Sequence, residues 1–151
     1  MMIRKATLKD FEKLKEIRTE FYLLEASTDK RVSTKWAKHG LGISLGKSIR
    51  SKTEINLIAE ENGKLIGYAS SEIITNPGWV AYKKQGHLYN LYVLPKYQGK
   101  GIGKKLIEKS LEWFRKNKIK DLKIQAYVWN KRARKLYHKY GFKEYMVILK
   151  K

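Results

Sequence analysis

The sequence predicts one α/β domain with a mixed, mostly antiparallel sheet. Three observations carry that expectation: an Asn-Gly pair between two apolar runs, a strand, glycine turn, helix and strand in succession from His87 to Val128, and a length of 151 residues. Asn-Gly in a two-residue turn favours the mirror-image geometry that joins antiparallel strands. The strand–helix–strand unit instead demands a right-handed crossover between strands that lie parallel. A chain of this size suits one core rather than two, so residues 1–151 are read as one domain.

Ile3 to Ala6 is a short partly apolar stretch, followed by Thr7 and Asp10, either of which can cap a helix. Phe11, Leu14, Ile17, Phe21 and Leu24 recur at helical spacing, which predicts a helix from about Asp10 to Leu24 with one buried face. Residues 25–53 have scattered apolar positions among three glycines and are read as a helix with irregular flanks. The hairpin is Ile55–Glu61, Asn62-Gly63 and Leu65–Ile74. Thr75 to Gly86 contains Asn76, Pro77 and Gly78 and is read as a loop carrying Trp79, Val80 and Tyr82. His87–Leu94 is a strand ended by Pro95. Ile102, Leu106, Ser110, Trp113 and Phe114 mark the inner stripe of a helix reaching about Asn117. Leu122–Val128 reads as a strand, and Asn130 opens a helix that Gly141 stops. Phe142–Leu149 is expected to be a last strand.

Hydrophobic residues form 42% and aromatic residues 12% of the chain, which supplies a core despite 32% charged residues. With no cysteine, disulfides, thiolate metal sites and a covalent acyl-cysteine route are all excluded. Charge appears by the fourth residue, and nowhere do about 18 apolar residues run together. A cytoplasmic protein with no membrane partner is therefore expected. The formal charge is +20, and residues 95–151 carry 18 Lys/Arg against 4 Asp/Glu. Such a field attracts nucleotide cofactors and nucleic acid alike, or serves solubility and adaptation to heat.

Between Leu94 and the helix at Ile102 lie Gly99, Gly101 and Gly103, which leave main-chain N–H groups open where a helix begins. Such donors, reinforced by the helix dipole, suit a phosphate or pyrophosphate. The spacing does not satisfy the G-x-x-x-x-G-K-[ST] loop of nucleoside triphosphatases. Nor does it fit a dinucleotide fingerprint: the pattern is G-x-G-x-G, it stands four residues beyond Leu94, and Asp121 precedes the next strand rather than ending it. Gln98, Gly101 and Gly103 spell Q-x-x-G-x-G after a strand ending Leu91-Tyr92-Val93-Leu94-Pro95, and Asn130, Ala133, Leu136, Tyr137, Gly141 and Phe142 spell N-x-x-A-x-x-L-Y-x-x-x-G-F. Together these motifs resemble the two signature segments of the GNAT N-acetyltransferase superfamily, in the family's order and at its separation, and the element order resembles the family's along nearly the whole chain.

The resemblance implies the GNAT acyl-CoA transferase fold, with a splay between the fourth and fifth strands, and acetyl-CoA as cofactor. It implies that Leu91, Tyr92 and Val93 offer main-chain groups to the pantetheine arm, that the backbone of Gly99, Lys100, Gly101, Ile102, Gly103 and Lys104 holds the pyrophosphate, and that Gln98 fixes that loop. Asn130 and Ala133 match cofactor-contacting positions. Tyr137 matches the tyrosine that protonates the departing thiolate, although Ala133, Leu136, Tyr137 and Tyr140 also form an ordinary core-facing helical stripe.

Many relatives carry a carboxylate on the strand before the glycines, whereas this chain has His87, Tyr89 and Asn90 there and no acidic residue between Glu72 and Glu108. His87 is then the candidate base by its intrinsic pKa, alongside Glu72 acting through water, or solvent with a neutral amine. The implied reaction is acetyl transfer to a primary amine of a small molecule, a peptide N-terminus or a lysine, by direct attack in a ternary complex. Like charge argues mildly against polycationic acceptors such as polyamines. Two other readings stay open: a coenzyme A-binding module without turnover, and a basic nucleic-acid- or ribosome-associated protein. The sequence also leaves room for a homodimer.

Overall fold

The computed structural model describes residues 1–151. Five strands form one sheet in the order β1 (Met2–Lys5), β2 (Glu54–Glu61), β3 (Lys64–Thr75), β4 (Lys84–Val93) and β5 (Asp121–Ile124). Every neighbouring pair is antiparallel except β4 with β5, which are parallel. The helices are α1 (Phe11–Thr28), α2 (Thr34–His39), α3 (Leu41–Arg50), α4 (Ile102–Lys116) and α5 (Lys131–His138). The β2–β3 turn holds Asn62 at φ 50° and Gly63 at φ 74°, the two positive values its geometry requires.

Alternation along the strands sorts side chains onto two faces. Ile58, Tyr68 and Tyr92 pack against Leu14 and Ile17 of α1 and Leu45 and Ile49 of α3. Ile55, Leu57, Ile66 and Val93 point the other way, onto Ile102 and Leu106 of α4. Further along that face Leu88, Ile107, Phe114, Ile119 and Tyr137 close a third cluster, which ties α4 to α5. Each large apolar side chain so buried contributes about 1.5–3 kcal/mol.

Several expected boundaries move. The region 25–53 holds the end of α1 and two helices, with Ser33 capping α2 by accepting from the Trp36 N–H. β4 starts at Lys84, because the Thr75–Lys84 register pairs residues that turn chemistry alone assigns to the loop. β5 stops at Ile124, four residues short of Val128. The last expected strand does not form. Phe142–Leu149 meets no sheet edge, Glu144 pairs instead with Arg134 of α5, and Tyr145 to Leu149 are all exposed. Apolar alternation satisfies half of what a strand needs; the other half is a partner for its main chain.

Two contacts fix the frame and are open to measurement. A Cβ on Gly86 would fall 2.6 Å from Phe114 Cδ1 and 2.7 Å from Leu122 Cδ2, so the approach of β4 to β5 and α4 requires glycine there. Gly86→Ala is expected to destabilise the protein by about 1–3 kcal/mol in denaturant unfolding. At the other edge the buried Asp10 carboxylate accepts from Arg4 at 2.7 and 2.8 Å and from the Thr7 N–H at 2.8 Å. The bonds from Arg4, and then from Thr7, hold its pKa far below the usual carboxylate range, outweighing burial, which pushes the other way. A depressed folded pKa gives stability that is present above the unfolded value of about 3.9 and lost as pH falls through the folded one. Urea midpoints should therefore fall below about pH 4 in the wild type and change less with pH in Asp10→Asn.

Candidate active site

The site begins where β4 and β5 part. Their pairing runs from Gln85 with Asp121 to Leu88 with Ile124 and then ends. One residue later β4 carries a bulge: Ser70 faces Asn90 and Ser71 faces Leu88, leaving Tyr89 as the extra residue. Beyond it Leu91, Tyr92 and Val93 remain bonded to β3, but on the β5 side their main chain has no strand neighbour. A wedge-shaped opening results, with one wall of main-chain donors and acceptors.

The bulge is fixed from the α1 side by buried polar groups. Arg18, only 3% exposed, donates to Asn56 Oδ1 and Asn90 Oδ1, each at 3.4 Å, and the Tyr22 hydroxyl donates to Asn90 Oδ1 at 3.2 Å. The Tyr89 hydroxyl is spent on Glu54 Oε2 at 3.1 Å. His87 is buried, and its Nδ1 lies 3.0 Å from Glu72 Oε1. Burial lowers its pKa, against the raising effect of Glu72. His87 Nε2 is enclosed without a partner.

At the wide end, a Pro-started turn (Pro95–Tyr97) leads to the glycines. Gly99 and Gly101 take φ of 82° and 78°, and a Cβ on either would meet nothing within 4 Å, so these two face open space. Gly101 caps α4 with no side chain, which leaves the N–H groups of Ile102, Gly103 and Lys104 without intrahelical acceptors. The Gln98 amide braces the turn: its Nε2 donates to the Val93 carbonyl at 2.9 Å, and its Oε1 accepts from Arg132 at 2.7 Å. Lys96 and Lys100 lie over the Tyr97 ring, adding positive charge beside the helix start. Free donors, a helix N-terminus and lysines fit a diphosphate.

Asn130 accepts the Ala133 N–H through Oδ1 at 3.1 Å and so caps α5. That helix places Tyr137 against Leu88 and Phe114. Tyr137 is 9% exposed, and burial first, then the charge of Glu25, pushes its phenol up to about 12. It is therefore fully protonated near neutrality. Among the expected residues, Gln98 to Lys104 gather at the wide end, Leu91–Val93 form a wall, and Tyr137 lies within the fold beside it. His87 lies apart, in the still-paired stretch opposite Lys123. Arg132 escaped the sequence reading, because it occupies a variable position of its motif.

A sequence model of the acetyltransferase (GNAT) family matches residues 11–142. The chain belongs to this family. An uncharacterised N-acetyltransferase of Archaeoglobus fulgidus is 36% identical over 84 residues, 54% of either protein, so the chain spans about half of that relative's length. The [ribosomal protein bS18]-alanine N-acetyltransferase of Haemophilus influenzae is 29% identical over 89% of this chain and 76% of that protein. A predicted acetyltransferase from Clostridium acetobutylicum, solved with acetyl-CoA, superposes with a TM-score of 0.81 at 25% identity, covering 99% of this GNAT chain and 94% of its own. Capping gives a direct check on the second motif of this GNAT chain: Asn130→Ala should cost about 1 kcal/mol in denaturant unfolding and Asn130→Asp much less.

Proposed function

We propose that this chain is an acetyl-CoA-dependent N-acetyltransferase acting on a primary amine. The observation that carries the reading is the wedge between β4 and β5, closed at one end by four residue pairs and opening at the other onto the unprotected N-terminus of α4. An extended pantetheine arm would lie along Leu91, Tyr92 and Val93 as an added strand does. The N–H groups from Gly99 to Lys104 would hold the diphosphate, with Gln98 and Arg132 keeping that turn in place. Asn130 and Ala133 start the helix on the opposite wall.

Acetyl-CoA, when bound, supplies an acetyl group already activated as a thioester. The protein has to align an amine with it, accept a proton from that amine and give one to the departing sulfur. Tyr137 suits the last task, being protonated at neutral pH, with no hydrogen bond to another ionisable group competing for its phenol. The acceptor is a peptide N-terminus, a lysine or a small-molecule amine. The likeness to an enzyme named as a ribosomal-protein alanine N-acetyltransferase favours a protein acceptor among these.

Coenzyme A release measured across an alanine-terminated peptide, a lysine peptide, a polyamine and an aminoglycoside tests the reading. Turnover with at least one is expected, and coenzyme A binding with none would leave a non-catalytic module. Tyr137→Phe should lower kcat by about 10²-fold or more while leaving acetyl-CoA binding nearly unchanged. An unaltered kcat would remove Tyr137 from the chemistry.

A further inference from the structure

Two parts of the chain lack the neighbour that their composition calls for. The first is the segment after α5. Tyr145, Met146, Val147, Ile148 and Leu149 are 64–94% exposed, and none of them forms a main-chain hydrogen bond. Five consecutive apolar residues, with Tyr, Val and Ile among them and no charge, have the make-up of a strand that seeks a partner. The start of the segment is held. The Phe142 N–H donates to the Tyr137 carbonyl at 3.3 Å, His138 Nδ1 donates to the Phe142 carbonyl at 2.9 Å, and Glu144 pairs with Arg134. The chain is thus moored on α5 and then leaves it, and no strand of the same molecule receives it.

The second part is the outer edge of β5. The sheet ends at that strand, which pairs with β4 on one side only, so its other side presents unpaired N–H and C=O groups. Leu122 and Ile124 are half-buried at the margin of the cluster that joins α4 to α5, and Val128 and Trp129, just beyond, are 68% and 56% exposed. An open edge with an apolar rim is a seat for a strand.

We propose that these two parts form one interface between two copies of this chain, in which Tyr145–Leu149 of each copy adds as a strand along the outer edge of β5 of the other. The segment is five residues long and β5 is four, so their lengths match. Once added, its main chain gains the partner it lacks, and its side chains cover Leu122 and Ile124. Each copy carries one open edge and one unpaired strand, so a two-fold dimer satisfies both and closes without recruiting a third chain. Within a single chain the segment stays unpaired. β5 is also the strand whose parting from β4 opens the wedge, so the exchanged strand braces it from outside. Nothing in the exchange depends on the chemistry of the wedge.

Sedimentation velocity of the whole chain at micromolar concentration should show a dimer. Successive N–H groups of a strand point to opposite sides, so the double substitution Val147→Pro with Ile148→Pro removes a donor from any ladder the segment makes. It should raise the dimer dissociation constant by about tenfold or more. Circular dichroism should stay unchanged per chain, because these residues bond to nothing within one copy. The absence of cysteine permits a second readout on the intact fold. Chains carrying Lys123→Cys together with Met146→Cys, Val147→Cys or Ile148→Cys are oxidised and run on gels without reductant. At least one of the three should give a covalent dimer, because adjacent strands lie within disulfide reach. A disulfide that closes within one chain overturns the exchange, since the segment then folds back onto its own β5. A monomeric wild type, a dimer that the two prolines leave as tight as before, or no disulfide at any of the three positions overturns it equally.

Discussion

Parallel pairing between β4 and β5 lasts for four residues and stops, and the rest of the site follows from that stop. Had the ladder continued through Val93, the main chain of Leu91–Val93 would be satisfied on both sides and no wedge would exist. Three features hold the strands together at one end and apart at the other. Gly86 lets β4 approach Phe114 and Leu122 closely, the bulge at Tyr89 turns the strand, and α4 and α5 wedge Ile107, Phe114 and Tyr137 beneath the parting. The opening is thus a packed feature with hydrophobic walls below it, where a loop-built cleft would depend on the order of its own backbone.

Positive charge gathers at one end of the site. The glycine end belongs to the basic half of the chain and presents α4's free N–H groups with Lys96 and Lys100 beside them. The α1 end carries Glu20, bonded to the Tyr92 hydroxyl at 2.7 Å, and Asp29, which pairs with Arg31 and accepts from the Tyr127 hydroxyl. The glycine end would therefore draw an anionic cofactor. The +20 net charge opposes approach of a cationic amine at long range.

Elements with strong local patterns could be read from the sequence. The hairpin follows from Asn62-Gly63, α4 from its apolar stripe, and the turn that opens α4 from glycine spacing. What escaped depends on partners distant in the chain. Tyr145–Leu149 has the composition of a strand but no edge to pair with. β5 reads as running to Val128 because nothing local marks where a neighbouring strand departs. Asn130 reads as a cofactor contact and performs as a helix cap, two roles that the same position can serve.

Hydrogen exchange of the main-chain amides, with and without coenzyme A, tests most directly whether the parted strands and the bare helix start form one seat. Protection confined to Leu91–Val93 and to Ile102–Lys104, with little change in β2 and β3, is the result expected of an arm added along β4 and a diphosphate at α4. Binding of coenzyme A that leaves those amides unprotected, or protects a different surface, would contradict it.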